Sequence, residues 1–302
     1  MDEALYACRF LQFTAAMLLF GTAAFRVYAL AGSDTRTGSD MLTRFDARFR
    51  PVLLIASLIA LIAAIALLLC QAAEMAGSPS AAGDYAAVSA VLLETRFGRV
   101  WCFHLLLAAM LVFVSLHRQP RRPIVLLLSL GFLASLAWVG HATMEVGAAR
   151  IGHELNQSGH LLAAGLWLGG LAPLGWVLRQ ARHRPHEISS VCIALRNFSH
   201  MGYAAVALLA LTGAINALLL VGSLGAMLNT PYGRLLAFKI LLFLVMVVVA
   251  SINRFHLAPR LSEDPGTLRA LGRTVALEQS LGLGVLAIVS LLGTWPPALY
   301  GD

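Results

Sequence analysis

The chain has 302 residues, of which 59% are hydrophobic and only 12% charged, with a mean hydropathy of +0.79. Soluble domains carry about 25% charged residues, so this composition leaves too little polar surface for a water-soluble fold. Soluble-enzyme and nucleic-acid-binding readings of the net charge of +7 are excluded with it.

A spanning helix needs about 20 apolar residues, and eight stretches qualify: residues 5–30, 51–75, 98–117, 123–144, 158–178, 199–221, 233–252 and 274–294. The fold expected is therefore all-α, a polytopic membrane protein whose eight transmembrane helices form a single domain over residues 1–302. The first span follows Asp2 and Glu3 with no basic leader, so no cleaved signal peptide is expected. Cys8, Cys70, Cys102 and Cys192 lack CxxC spacing and fall mostly inside apolar runs, which argues against a disulfide framework.

Arginine placement gives orientation. The connections after spans one, three, five and seven hold fifteen arginines, among them Arg36, Arg44, Arg122, Arg196, Arg254 and Arg273, against four on the other side, Arg96, Arg99, Arg150 and Arg234. Cytoplasmic loops collect basic residues, so both termini are expected outside. Spans three and seven open on similar segments, Thr95-Arg-Phe-Gly98-Arg and Thr230-Pro-Tyr-Gly233-Arg. Each is third in its half, which suggests two parallel four-helix repeats, about 1–150 and 151–302, with His104 and Lys239 in equivalent places.

Ionisable side chains in hydrocarbon are costly and mark functional positions. His141 lies nineteen residues after Arg122 and His160 nineteen before Arg179, so at 1.5 Å per residue both stand about 28 Å from the arginine-rich side. Spans four and five are joined by a short connection, which brings these imidazoles within reach of one ion. Met144 shares the helix face of His141. His104, about 7 Å deeper, reads either as a further ligand or as a buried imidazole bonded to a neighbouring helix. Imidazole, thioether and thiolate in carboxylate-poor surroundings suit copper, Cu(I) in particular, better than hard cations. Possible accessory ligands are Cys102, His200 and Glu278, although Glu278 also reads as a buried charge in need of a cationic partner such as Arg196, Arg254 or Arg26. His153 and Glu154 are placed in an outer loop. Gln12, Thr212 and Asn216 are expected to join helices by hydrogen bonds, and Gly165 and Gly169, four apart, to admit a close helix neighbour.

Several of these residues carry a family resemblance. Trp138-Val-Gly-His141-Ala142, His160-Leu-Leu-Ala-Ala-Gly-Leu-Trp167-Leu-Gly169-Gly170, Arg196-Asn-Phe198-Ser199, Thr230-Pro-Tyr232-Gly233-Arg234 and Asn253-Arg254 together resemble the bacterial copper resistance protein D family (CopD/PcoD). Asn197 departs from its pattern, since Arg and Phe would be expected to adjoin. The resemblance implies a bacterial inner-membrane protein that brings copper, as Cu(I) or Cu(II), in from the periplasm beside a periplasmic chaperone of the CopC type. It also implies functional roles for His141 and His160. The chain would be a transporter or binding protein and not an enzyme. Two alternatives stay open on the residues alone: a haem-binding electron-transfer or cupric reductase module using the same histidines, and a non-transporting copper sensor or scaffold.

Overall fold

The computed structural model describes residues 2–31, 36–117, 121–140, 147–261 and 265–298, and these form helices with no strand among them. The principal elements are α1 (Asp2–Ala24), α2 (Arg36–Met75), α3 (Tyr85–Glu94), α4 (Arg96–Leu116), α5 (Arg122–Ser135), α6 (Gly147–Ala164), α7 (Gly170–His183), α8 (Ile188–Leu220), α9 (Leu224–Asn229), α10 (Pro231–Ile252) and α11 (Pro265–Leu292). π-helical turns at Phe25–Ala29, Gly165–Gly169 and Asn253–Leu257 extend α1, join α6 to α7 and extend α10.

Seven of the described helical segments are long and apolar enough to cross a membrane. The fourth expected span is a shorter apolar helix, Arg122–Trp138, which ends before the predicted limit at residue 144. Large apolar side chains such as Ile62, Leu127 and Val248 face outward, as a lipid-facing surface requires. The protein is an all-α, polytopic membrane protein.

Helix limits differ from the expectation where polar residues continue a helix beyond hydrocarbon. α2 begins at Arg36, not near residue 51, and α6 at Gly147, not 158. In the first case the extension turns Phe45 and Phe49 inward, where Phe45 stacks on Phe25 and both ring edges meet Trp176. Charges on the α2 extension tie it to its neighbours: Asp46 accepts from Arg26 and Arg122 at 2.7 Å each, and Arg44 bonds Glu187. Such ties gather the arginine-bearing ends of α1, α2, α5 and the α7–α8 corner at one end of the bundle.

At the opposite end the two similar segments adopt one local geometry. Thr95 Oγ1 accepts from Gly98 N at 2.9 Å and donates to Val91 O at 2.6 Å, while Thr230 Oγ1 accepts from Gly233 N at 3.0 Å and donates to Ala226 O at 2.7 Å. Each threonine caps a long helix and ties it to the short helix before it, α3 or α9. A Cβ on Gly98 or Gly233 would collide with backbone of that short helix, which explains glycine at both corners.

The core joins the halves through α1. Gly21 of α1 lies against the backbone of Gly169, and a Cβ on either would overlap the backbone of the other segment. Gly165, one turn away, leaves room only for Phe20 and Leu133. The expected close approach on the Gly165–Gly169 face is thus made by α1, and it holds the π turn carrying Trp167 in the centre of the molecule.

Candidate functional site

His160 sits near the end of α6, half-buried and facing α8. Thr212 Oγ1 donates to Leu208 O at 2.5 Å, so it accepts the Nδ1 proton of His160 at 2.9 Å. That bond fixes the tautomer and leaves the Nε2 lone pair without a hydrogen-bond partner among the described residues. Gly213 lies beside the ring: a Cβ there would stand 3.4 Å from His160 Cε1, in van der Waals contact.

A polar ladder extends from this histidine toward the Thr95 end. Asn156 Nδ2 donates to Asn216 Oδ1 at 2.8 Å and to Thr212 O at 3.1 Å, and Asn216 Nδ2 donates to Gln157 Oε1 at 2.7 Å. Thr212 and Asn216 were expected to join helices and do. Asn156 and Gln157 were missed; their spacing of four and three before His160 is the signal that places them on its face. The Lys239 ammonium of α10 acts electrostatically on His160.

His141 and Met144, together with Glu145, lie outside the described residues. Just before them Gly140 adopts φ +90°, a left-handed turn that suits glycine and ends the helical run of span four. Among the described residues no group of three or more His, Cys, Asp or Glu side chains converges as a metal site. Around His160 the described residues thus present an imidazole nitrogen without a hydrogen-bond partner.

His104 is fully buried in α4 and enclosed on every side. Trp101 stacks on one face at 4.7 Å between centroids and Phe132 on the other at 4.2 Å. Ser135 Oγ donates to Phe132 O at 2.8 Å and accepts from His104 Nδ1 at 2.7 Å, and Nε2 accepts from Gln12 Nε2 at 2.6 Å. This is the geometry of the second of its two readings, an imidazole bonded to neighbouring helices, and a metal could reach Nε2 only if Gln12 withdrew.

The accessory candidates fall elsewhere. Cys102 and His200 are exposed on α4 and α8 and are not gathered with the histidines. Glu278, 2% exposed, is hydrogen-bonded by Asn253 Nδ2 at 2.5 Å and by the Trp167 indole, with no ion pair among the described residues. The expected cationic partner is not used: Arg26 is bound to Asp46, and Arg254 donates to Tyr203 Oη at 3.2 Å. His153 and Glu154 belong to α6 and not to a loop; helix-forming Ala148 and Ala149 begin it, and Glu154 bonds Arg96 and lies 3.8 Å from Arg150. Asn197, the departure from the family pattern, donates to the carbonyls of Ala29 and Ala31 at 3.2 Å each and so anchors the end of the α1 extension.

The fold and site define a multi-pass helical membrane protein with a polar histidine layer near one end of its bundle. Residues 1–151 match the family described as copper resistance protein D-like, N-terminal domain, and residues 193–292 match copper resistance protein D. The chain is 30% identical to copper resistance protein D of Pseudomonas syringae pv. tomato, covering 99% of this chain and 98% of that one. It is 35% identical to inner membrane protein YebZ of Escherichia coli, covering 96% and 97%, and 27% identical to copper transport protein CutJ of Bacillus subtilis, covering 96% of this chain and 52% of that one. No solved structure matches significantly. The chain belongs to the copper resistance protein D family.

Proposed function

We propose that this protein is an inner-membrane copper-binding protein that takes copper from the periplasm and carries it inward, serving copper homeostasis and resistance. The names of its relatives, copper resistance protein D and copper transport protein CutJ, support the cargo, and that of YebZ the inner membrane. The observation that carries the site is the Nδ1 bond of His160 to Thr212, which presents Nε2 as an open donor. A ligating histidine held through its other nitrogen is the usual arrangement in metal sites.

Copper is delivered by a periplasmic protein of the CopC type and held at His160 with His141 and Met144. Both termini face the periplasm, in keeping with the arginine asymmetry. His104 serves as a structural imidazole of the N-terminal half, and Cys102 and His200 take no part. The Lys239 charge weakens retention of a cation at His160, which suits a site that must release its cargo.

The test is copper binding by purified protein and copper accumulation by cells, for His160→Ala and His141→Ala. Each is expected to lower affinity at least tenfold and to reduce accumulation, while Cys102→Ser leaves both unchanged. Unchanged binding and accumulation in both histidine variants would remove the proposal, and a Soret band from the purified protein would put a haem module in its place.

A further inference from the structure

The C-terminal half contains a second polar site that the histidine layer does not use. A cavity of about 270 Å³ lies between α8, α10 and α11, toward the end where α10 stops at Ile252. Its wall is largely apolar, with Leu171, Phe198 and Val275, but it includes Glu278, Asn253 and Trp167. Two of the three π turns supply this polar part, Trp167 from Gly165–Gly169 and Asn253 from Asn253–Leu257. Such turns are frequent at functional sites, because the extra residue redirects side chains that a regular helix would place elsewhere.

The hydrogen-bond inventory of this group is unbalanced. Glu278 accepts from the Asn253 amide and the Trp167 indole, and no cation neutralises it among the described residues. Asn253 is 8% exposed, and its Oδ1 is a buried acceptor with no donor. An ionised carboxylate offers only acceptors, whereas its protonated form carries one O–H donor. A carboxylate beside an unfilled acceptor is a site one proton short. The other titratable groups lining the cavity are Tyr203 of α8 and Arg254 of the α10 extension, which bond each other at 3.2 Å; on α11 itself Arg273 lies five residues away. Leu195, Arg254 and Phe255 line both this cavity and a neighbouring one of about 430 Å³ that also includes Arg196 and Cys192.

We propose that Glu278, with Asn253 and Trp167, forms a proton-binding site reached through this cavity, and that its protonation and deprotonation accompany copper movement. The second clause rests on the transport reading above; the first does not. One proton is taken up by the carboxylate and returned by the same group, so no other reactant is needed. Hard carboxylate and amide oxygens are poor ligands for Cu(I), which separates this site from the copper site in chemistry as well as in place.

Two measurements test it on the full-length protein in lipid. In infrared difference spectra across a pH titration, a protonated-carboxyl band is expected from the native protein and lost in Glu278→Gln, whose side-chain amide supplies the N–H that the protonated acid would; a spectrum the substitution does not alter overturns the site. In proteoliposomes given Cu(I), an imposed proton gradient is expected to change uptake severalfold for the native protein and not at all for Glu278→Gln, with Cu(I) binding retained in both. A gradient response that survives Glu278→Gln overturns the coupling. A native protein that moves no copper defeats the transport reading and coupling with it, and the infrared band still decides the proton site.

Discussion

Thr212 shows how much depends on a single hydroxyl. It donates to its own helix at Leu208 and accepts from His160, so the imidazole is oriented before any metal arrives. Removing a partner of this kind costs metal affinity about 10–100-fold. Thr212→Val, nearly equal in volume, is therefore expected to keep the fold and weaken copper binding by that order, as measured by competition with a Cu(I) chelator. His160 and Thr212 are both legible in the sequence, one as an intramembrane histidine and the other as a polar residue in an apolar run. The enclosure of His104 is not, because it depends on two rings and two bonding partners from residues 12, 101, 132 and 135, which only tertiary packing brings together.

Elements were legible in proportion to their hydropathy. The eight apolar runs mark the helices, but the arginine-rich start of α2 and the polar start of α6 read as connections because amphipathic helix outside hydrocarbon looks like loop to a hydropathy scan. The short helices α3 and α9 escaped notice through their length, although Asp84 and Ser223 are recognisable caps before them. The paired corners give a test at this scale. Thr95→Ala and Thr230→Ala each remove a cap worth about 1 kcal/mol and are expected to lower stability to similar extents in denaturant titrations. Gly21→Leu forces a side chain into the backbone of the Gly165–Gly169 turn and is expected to cost more, at least the 1–3 kcal/mol or so typical of overpacking, or to prevent folding.

For the whole molecule, charge and polarity divide the bundle into two ends. Arg26, Arg44 and Arg122 tie helices together at one end through Asp46 and Glu187, and the Thr95 and Thr230 corners stand at the other with the ladder above His160. On the proposed orientation, the positive charge that first characterises the chain gathers at the cytoplasmic end, and the end where copper would enter is poorer in fixed cations. Reporter fusions at the C-terminus are expected to be active in the periplasm and silent in the cytoplasm; the opposite result would reverse the direction in which His160 is approached.

In the proposed function copper binds His160 through Nε2, together with His141 and Met144. Copper-edge X-ray absorption on the loaded protein, compared with His160→Ala, tests it most directly. Imidazole scattering is expected in the native spectrum and is expected to fall by one ligand in the variant. Identical spectra from the two proteins would contradict it.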